Sequence, residues 1–126
     1  MSELFLILDR NNKILNSYEK DLEDDIKYCK LYSLAYSSLD VIDVLNIKSN
    51  DSFFYCIIKY KYVVSLYIMR SGRKILLITH NRSKENIRKI SESIYLFYKT
   101  YYLNNFEKIV ESKEFDKKMQ EILSTE

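Results

Sequence analysis

The sequence contains no proline and a single glycine, Gly72. A phosphate-binding loop needs several glycines, because its backbone must approach the phosphate closely, so the ordinary nucleotide-binding motifs are excluded. Lys, Asn, Ile and Tyr are abundant instead, which indicates a genome biased towards A and T. The two absences therefore carry no structural message of their own.

Side chains with obvious catalytic or metal-binding chemistry are also scarce. The one histidine, His80, follows a predicted strand, and no histidine or cysteine pair has the spacing of metal ligands. Asp40 and Asp43 lie three residues apart on a predicted helix, where they are helix surface, bond a loop backbone or a partner, or serve acid–base chemistry. We expect no catalytic, cofactor-binding or metal-binding residue and no small-molecule substrate.

The two cysteines, Cys29 and Cys56, each lie within an apolar pattern and have no Cys-x-x-Cys spacing. This predicts two buried free thiols in a reducing compartment. The apolar core of the amino-terminal segment is too short for a signal peptide. The longest apolar stretch, residues 62–69, is too short to cross a bilayer. We therefore expect a soluble cytosolic protein.

Charge is nearly balanced over the 126 residues, with a formal net charge of +2. That value is too small to indicate nucleic-acid binding. The signs are nevertheless segregated, since residues 19–25 are acidic and the middle of the chain is basic. The basic residues are Lys59, Lys61, Arg70, Arg73, Lys74, Arg82, Lys84, Arg88 and Lys89. They form a solvated face, or they meet an acidic partner or an anionic membrane.

Five strands are predicted, two near the start and three in the middle. Residues 4–8 are uninterruptedly apolar and read as a buried strand, whereas residues 13–19 have the weaker pattern of an edge strand. The later strands span residues 53–60, 62–69 and 74–79. Their connections, including Ser71-Gly72, are too short for parallel crossovers, so the sheet must be antiparallel. The later strands do not alternate cleanly, which requires both faces of the sheet to be covered.

A long helix over residues 22–45 is predicted from apolar residues that recur every three or four positions. These are Leu22, Ile26, Cys29, Tyr32, Tyr36, Leu39 and Ile42. The carboxylates of Asp21, Glu23, Asp24 and Asp25 would lie in its first turns, at the positive end of the helix dipole. A second apolar set widens this surface: Leu31, Leu34, Ala35, Ser38, Val41 and Leu45. That width favours either contact with another protein or a broad core face.

Two further helices complete the predicted order ββαβββαα. Ser83 is expected to cap a helix over residues 83–103, and Ser112 a short last helix. The length suits one domain, residues 1–126, of three-layer α+β architecture, with one helix on one sheet face and two on the other. We expect the helix over 22–45 and the helix over 83–103 on opposite faces. We also expect three residues to be buried: Leu6, Cys56 and Leu77.

The segment Ser38-Leu39-Asp40-Val41-Ile42-Asp43 resembles the S-L-D-x-[VI]-D element of the sedlin family. This family comprises sedlin and the sedlin-like subunit of the trafficking protein particle (TRAPP) complex. The similarity extends over nearly the whole chain, to a second helix entering Leu103-Asn104-Asn105-Phe106 and to Phe115-Asp116 at the last helix. One loop departs, since Asn104-Asn105-Phe106-Glu107 stands where the family usually has Asn-Pro-Phe-Tyr.

The resemblance implies a longin-like (SNARE-like) fold and a non-enzymatic role in vesicle tethering between endoplasmic reticulum and Golgi. The implied partners are other TRAPP subunits, with indirect contact to a Rab GTPase and to the membrane surface, but no nucleic acid. It implies a cytoplasmic protein peripheral to those membranes. Asp40 matches the family's helix aspartate implicated in partner binding. The implied protein-binding site therefore comprises Asp40 and its neighbours Leu39, Val41 and Asp43.

Two other classes remain open. The same fold serves as a longin domain that regulates a SNARE, or as a clathrin-adaptor small chain, although the sequence has no carboxy-terminal coiled coil or membrane anchor. A small enzyme is the third class, and the missing catalytic constellation makes it the least favoured.

Overall fold

A computed structural model describes residues 2–21, 24–45, 53–59, 61–69, 72–105 and 110–124. The elements follow the predicted order ββαβββαα. The strands are β1 (Glu3–Leu8), β2 (Ile14–Lys20), β3 (Phe53–Lys59), β4 (Val63–Ile68) and β5 (Lys74–Thr79). The helices are α1 (Asp25–Leu45), α2 (Lys84–Asn105) and α3 (Ser112–Ser124).

The five strands form one antiparallel sheet in the order β2-β1-β5-β4-β3. The strands β1 and β5 are the most deeply buried, since nearly all of their residues are buried. β2 lies at one edge, as its weaker apolar pattern predicted, and β3 lies at the other. The sheet is therefore organised around its two most buried strands.

The side chains of each strand alternate between two cores, because successive residues point to opposite faces. Leu4, Leu6 and Leu8 of β1 pack in the core beneath α1, whereas Phe5 and Ile7 pack in the core beneath α2 and α3. The sheet is thus covered by one helix on one face and by two on the other. The three-layer prediction is confirmed, as is the burial of Leu6 and Leu77.

The helix starts are defined by hydrogen bonds. The carboxylate of Asp24 accepts from the N–H of Ile26 (2.8 Å), and the hydroxyl of Ser83 accepts from the N–H of Asn86 (3.1 Å), as predicted for a cap. In α3 the first helical bond runs from Phe115 to the carbonyl of Glu111 (3.0 Å). Ser112 is therefore already helical, and its predicted capping position is one residue too late.

The turn between β4 and β5 explains the position of the only glycine. Gly72 has a φ of 91°, in the region that favours glycine, and its N–H donates to the carbonyl of Met69 (2.9 Å). A Cβ atom at Gly72 would lie 2.7 Å from Cγ of Arg10. Although the composition suggested no structural role for glycine scarcity, this position requires glycine on both grounds.

Both cysteines depart from the prediction of buried thiols. Cys29 is exposed because it lies on the side of α1 away from the sheet. Cys56 is half-buried and has a φ of 58°, within an irregular stretch of β3 between Phe54 and Ile58. Its N–H donates to the hydroxyl of Ser65 (3.3 Å). The bulge breaks the regular alternation that the sequence pattern assumed.

A buried polar cluster ties the second strand to both helices of the far layer. The amide of Asn16 donates to the carbonyl of Val110 (3.1 Å), and the hydroxyl of Tyr98 donates to Oδ1 of Asn16. The ring of Tyr98 meets Phe115 edge-on, with the centroids 6.0 Å apart. β2, α2 and the approach to α3 are therefore joined at one buried point.

Candidate protein-binding surface

The single helix on its sheet face, α1, has apolar residues on both sides. At about 100° per residue, Ile42 lies roughly 160° around the helix from Ile26. Ile42 is buried against the sheet, and Ile26 is exposed. The first predicted apolar series therefore winds from the solvent side of α1 to its packed side, because its mean step is shorter than one helical turn. Residues of both predicted series make up the packed side: Leu31, Ala35, Ser38, Leu39 and Ile42.

The solvent side of α1 forms a continuous exposed surface, which we call the outer α1 face. It comprises Ile26, Cys29, Ser33, Tyr36 and Asp40, at alternating steps of three and four residues. Ile26 is 67% exposed and Tyr36 is 55% exposed. No other described element covers them. Large apolar side chains at exposed positions are informative when they are contiguous, because such surfaces mark interaction sites.

The four residues predicted to bind a protein divide into different environments. Asp40 is exposed and Val41 is half-buried, whereas Leu39 is only 8% exposed and packs in the core beneath α1. Leu39 therefore presents little surface to a partner. Asp43 lies within α1, and its side chain is outside the described part of the structure. Of the predicted set, Asp40 lies most openly on the outer α1 face.

Asp40 makes no hydrogen bond or ion pair to any other residue that the structure describes. The outer α1 face therefore ends in an exposed carboxylate beside aromatic and aliphatic side chains. The hydrophobic part would be desolvated by a partner, and the carboxylate would orient a donor or a cation from it. The only sequence signal that separates this face from the packed one is the helical angle accumulated along the first apolar series, from Ile26 to Ile42.

The start of α1 is held to the sheet edge by tyrosines. The hydroxyl of Tyr32 donates to the carboxylate of Glu19 in β2 (2.6 Å), and the ring of Tyr32 lies 4.5 Å from that of Tyr28. Burial, with the hydrogen bond to Glu19 as a second cause, raises the pKa of the Tyr32 hydroxyl far above the usual tyrosine value. This contact joins α1 to the edge strand β2.

A buried ion pair lies beneath the start of α2. The carboxylate of Glu3 accepts from Nε (2.6 Å) and from Nη2 (2.9 Å) of Arg82, and its side chain is 3% exposed. It also accepts from the N–H of His80 (3.3 Å). His80, the lone histidine, packs its ring against Tyr62 with the centroids 5.6 Å apart. Because its guanidinium is bound to Glu3 and its side chain is only 14% exposed, Arg82 does not belong with the exposed basic residues.

Leu96 is an exposed apolar residue that the sequence pattern did not single out. It is 63% exposed on α2 and borders a shallow groove against α3, whose floor includes Ile122. Its position between the buried residues of the helical pattern was the only signal that could have found it. Within the described ranges, no three His, Cys, Asp or Glu side chains are close enough to hold a metal ion.

None of the helices in the described ranges combines the length and the apolar composition that crossing a membrane requires.

The fold is that of a longin-like, three-layer α+β domain. A family model described as sedlin matches residues 9–125. The chain belongs to the sedlin family, a family of non-enzymatic trafficking adaptors associated with the TRAPP complex. Comparison with curated proteins finds no match.

Proposed function

We propose that the chain is a non-catalytic subunit of a TRAPP vesicle-tethering complex and binds a neighbouring subunit through the outer α1 face. In this role it acts in transport between endoplasmic reticulum and Golgi, at the cytoplasmic surface of those membranes. It contributes to Rab GTPase activation indirectly, by holding other subunits together. Family membership over residues 9–125 supports the complex, and the outer α1 face supports the mode of binding.

The observation that carries the proposal is the exposure of Ile26 and Tyr36 on one side of a well-packed helix. Burying an isoleucine or aromatic side chain stabilises a complex by about 1.5–3 kcal/mol. Tyrosine is also enriched at interfaces, because its ring is apolar and its hydroxyl can bond a partner. A helix face of this kind fits the surface of another folded subunit.

Asp40 is the most discriminating residue to change, because its carboxylate lies on the outer α1 face without supporting any described contact. Asp40→Ala should leave the isolated domain folded and weaken its assembly with partner subunits. We expect a loss of about thirtyfold in affinity, since an interface charge of this kind contributes about 2 kcal/mol. Co-purification of TRAPP subunits from cells at near-physiological concentration measures the effect, and thermal unfolding measures stability.

A matched control is Asp116→Ala, which removes an exposed aspartate from α3 on the opposite side of the sheet. It should leave co-purification unchanged. If Asp40 instead anchors a neighbouring loop, its loss costs about 1–3 kcal/mol of stability as buried donors go unpaired. Unchanged co-purification of the Asp40→Ala variant would contradict a role of Asp40 in the interface. Recovery of adaptor large chains or a SNARE in place of TRAPP subunits would reject the assignment to the complex.

A further inference from the structure

The fold gathers basic residues that are far apart in the sequence. Lys59 ends β3 and pairs with Val63, which packs in the core beneath α2 and α3. Directly opposite residues of two paired strands lie on the same face of the sheet. Lys59 therefore lies on the α2 side of the sheet, at its β3 edge. Lys84, the first residue of α2, contacts the ring of Tyr55 in the same edge strand.

Two ring contacts show how close these segments are. Nζ of Lys84 lies 5.9 Å from the centroid of the Tyr55 ring, so the start of α2 covers β3. Tyr62, next to Lys61 in the β3–β4 turn, packs against His80 at the end of β5. Lys61 is exposed at this same end of the sheet. We call the exposed group Lys59, Lys61 and Lys84 the basic corner.

The positive charge of the basic corner is not balanced by the carboxylates around it. None of its three lysines forms an ion pair with another described residue, although Lys84 contacts Tyr55. Arg88, one turn further along α2, is paired with Glu92 through Nε and Oε1 (3.3 Å). Glu85 is the remaining exposed carboxylate in the first turn of α2. The basic corner therefore keeps an excess of cations in the absence of a partner.

We propose that the basic corner is a second protein-binding surface, which takes an acidic segment of a partner protein. Three exposed lysines, at a strand end, between β3 and β4 and at a helix start, present cations to carboxylates spaced along such a segment. The half-exposed ring of Tyr55 among them suits a protein interface, where aromatic residues anchor contacts. This proposal is independent of the outer α1 face, which lies on the other side of the sheet.

A membrane surface fits the same charge less well. Each lysine near an anionic bilayer contributes about 1 kcal/mol, and stable attachment needs an apolar anchor in addition. The exposed large apolar residues of the described chain are Ile26, Tyr28, Tyr36, Tyr55 and Leu96. Leu96 lies about three turns along α2 from Lys84, and none of the exposed aliphatic side chains that the structure describes lies at the basic corner. An acidic peptide needs no such anchor.

The test measures binding of a labelled synthetic peptide of glutamate and serine, with the same peptide in which glutamine replaces glutamate as its neutral counterpart. The protein should bind the acidic peptide and not the neutral one. Binding should weaken as the salt concentration rises from about 0.05 M to about 0.3 M. Lys59→Glu combined with Lys84→Glu should weaken it about tenfold or more. Thermal unfolding of the double variant checks that the domain remains folded.

The matched control is Lys99→Glu combined with Lys117→Glu, which changes the net charge equally at exposed sites on α2 and α3. The control should weaken peptide binding less than about twofold. An equal loss in both double variants overturns the proposal, because net charge would then explain the binding. So does failure of the acidic peptide to bind at low salt.

Two further outcomes also reject an acidic protein segment as the occupant. One outcome concerns vesicles of phosphatidylcholine with about 30% phosphatidylserine. The protein would bind them more strongly than the peptide, and the double Lys59 and Lys84 variant would lose this binding. The other is self-association by sedimentation velocity that the same variant abolishes. Retained peptide binding in an Asp40→Ala protein that has lost its co-purifying subunits separates the basic corner from the outer α1 face.

Discussion

Glu3 is a carboxylate in an apolar strand, and its burial is tolerated because Arg82, Lys20 and the N–H of His80 supply donors. The guanidinium of Arg82 forks onto both oxygens, and Lys20 lies 3.7 Å from one of them. A buried charge that loses its partner is strongly destabilising, because the remaining ion stays out of water without compensation. The residue therefore acts as an obligatory link between the first strand and the segment before α2.

Glu3→Ala should lower the free energy of unfolding by about 3–5 kcal/mol, because the guanidinium of Arg82, which is only 14% exposed, loses the carboxylate that accepts two of its hydrogen bonds. Urea denaturation measures the loss. Glu92→Ala is the control, since it breaks the exposed pair with Arg88 and should cost less than about 1 kcal/mol. A loss below about 1 kcal/mol for Glu3→Ala would contradict the role of the buried pair.

The hydroxyl of Tyr32 should make the free energy of unfolding depend on pH. Its folded-state pKa is raised by burial and by Glu19, so its contribution is fully present below the ordinary tyrosine pKa of about 10. It is lost as the pH rises through the folded-state pKa, because the unfolded chain releases the proton first. Tyr32→Phe should therefore lose less stability than wild type between about pH 8.5 and about pH 11.

Urea denaturation at the two pH values measures this difference. Glu19→Gln should act in the same direction, because it removes the charged acceptor of the Tyr32 hydroxyl. Some alkaline loss should remain in both variants, since burial also raises the pKa of Tyr18, with the charge of Asp116 as the next cause. An identical pH dependence in Tyr32→Phe and wild type would exclude the proposed role of this hydroxyl.

At the scale of elements, the tight turn between β4 and β5 depends on one residue. Gly72→Ala should destabilise the protein by about 1–3 kcal/mol, because alanine is strained at a φ of 91°. Its Cβ would also lie 2.7 Å from Cγ of Arg10. Adding Arg10→Ala removes that contact and leaves the backbone strain, so the double variant should recover part of the loss in urea denaturation.

If Gly72→Ala unfolds at the same urea concentration as wild type, the turn does not need glycine. A double variant that recovers nothing would assign the whole cost to the backbone.

The elements themselves were accessible from the sequence because their patterns report burial directly. The strands are too uniformly apolar for a sheet with one face in solvent, and this pattern correctly predicted that both faces are covered. The short connections correctly predicted antiparallel pairing. It was harder to predict which side of α1 faces the sheet, since both of its sides carry apolar residues. Only the angle accumulated between Ile26 and Ile42 separates the outer α1 face from the packed side.

At the scale of the whole molecule, the two surfaces differ in how far a sequence can reveal them. Asp40 was found through a family motif, whereas the basic corner required the register of β3 against β4 and the contact of Lys84 with Tyr55. The bulge at Cys56 was invisible, because a left-handed residue that is not glycine leaves no compositional signal. Local patterns specify elements, but the joining of distant elements depends on tertiary packing.

The link between Asn16 and Val110 spans 94 residues and has a consequence for synthesis in the cell. The chain emerges from the ribosome amino terminus first, so β2 and the hydroxyl of Tyr98 are present before α3 exists. Until Phe115 and Met119 arrive, the apolar residues beneath α3 face water. The nascent domain therefore cannot close its second core before its last helix has been made.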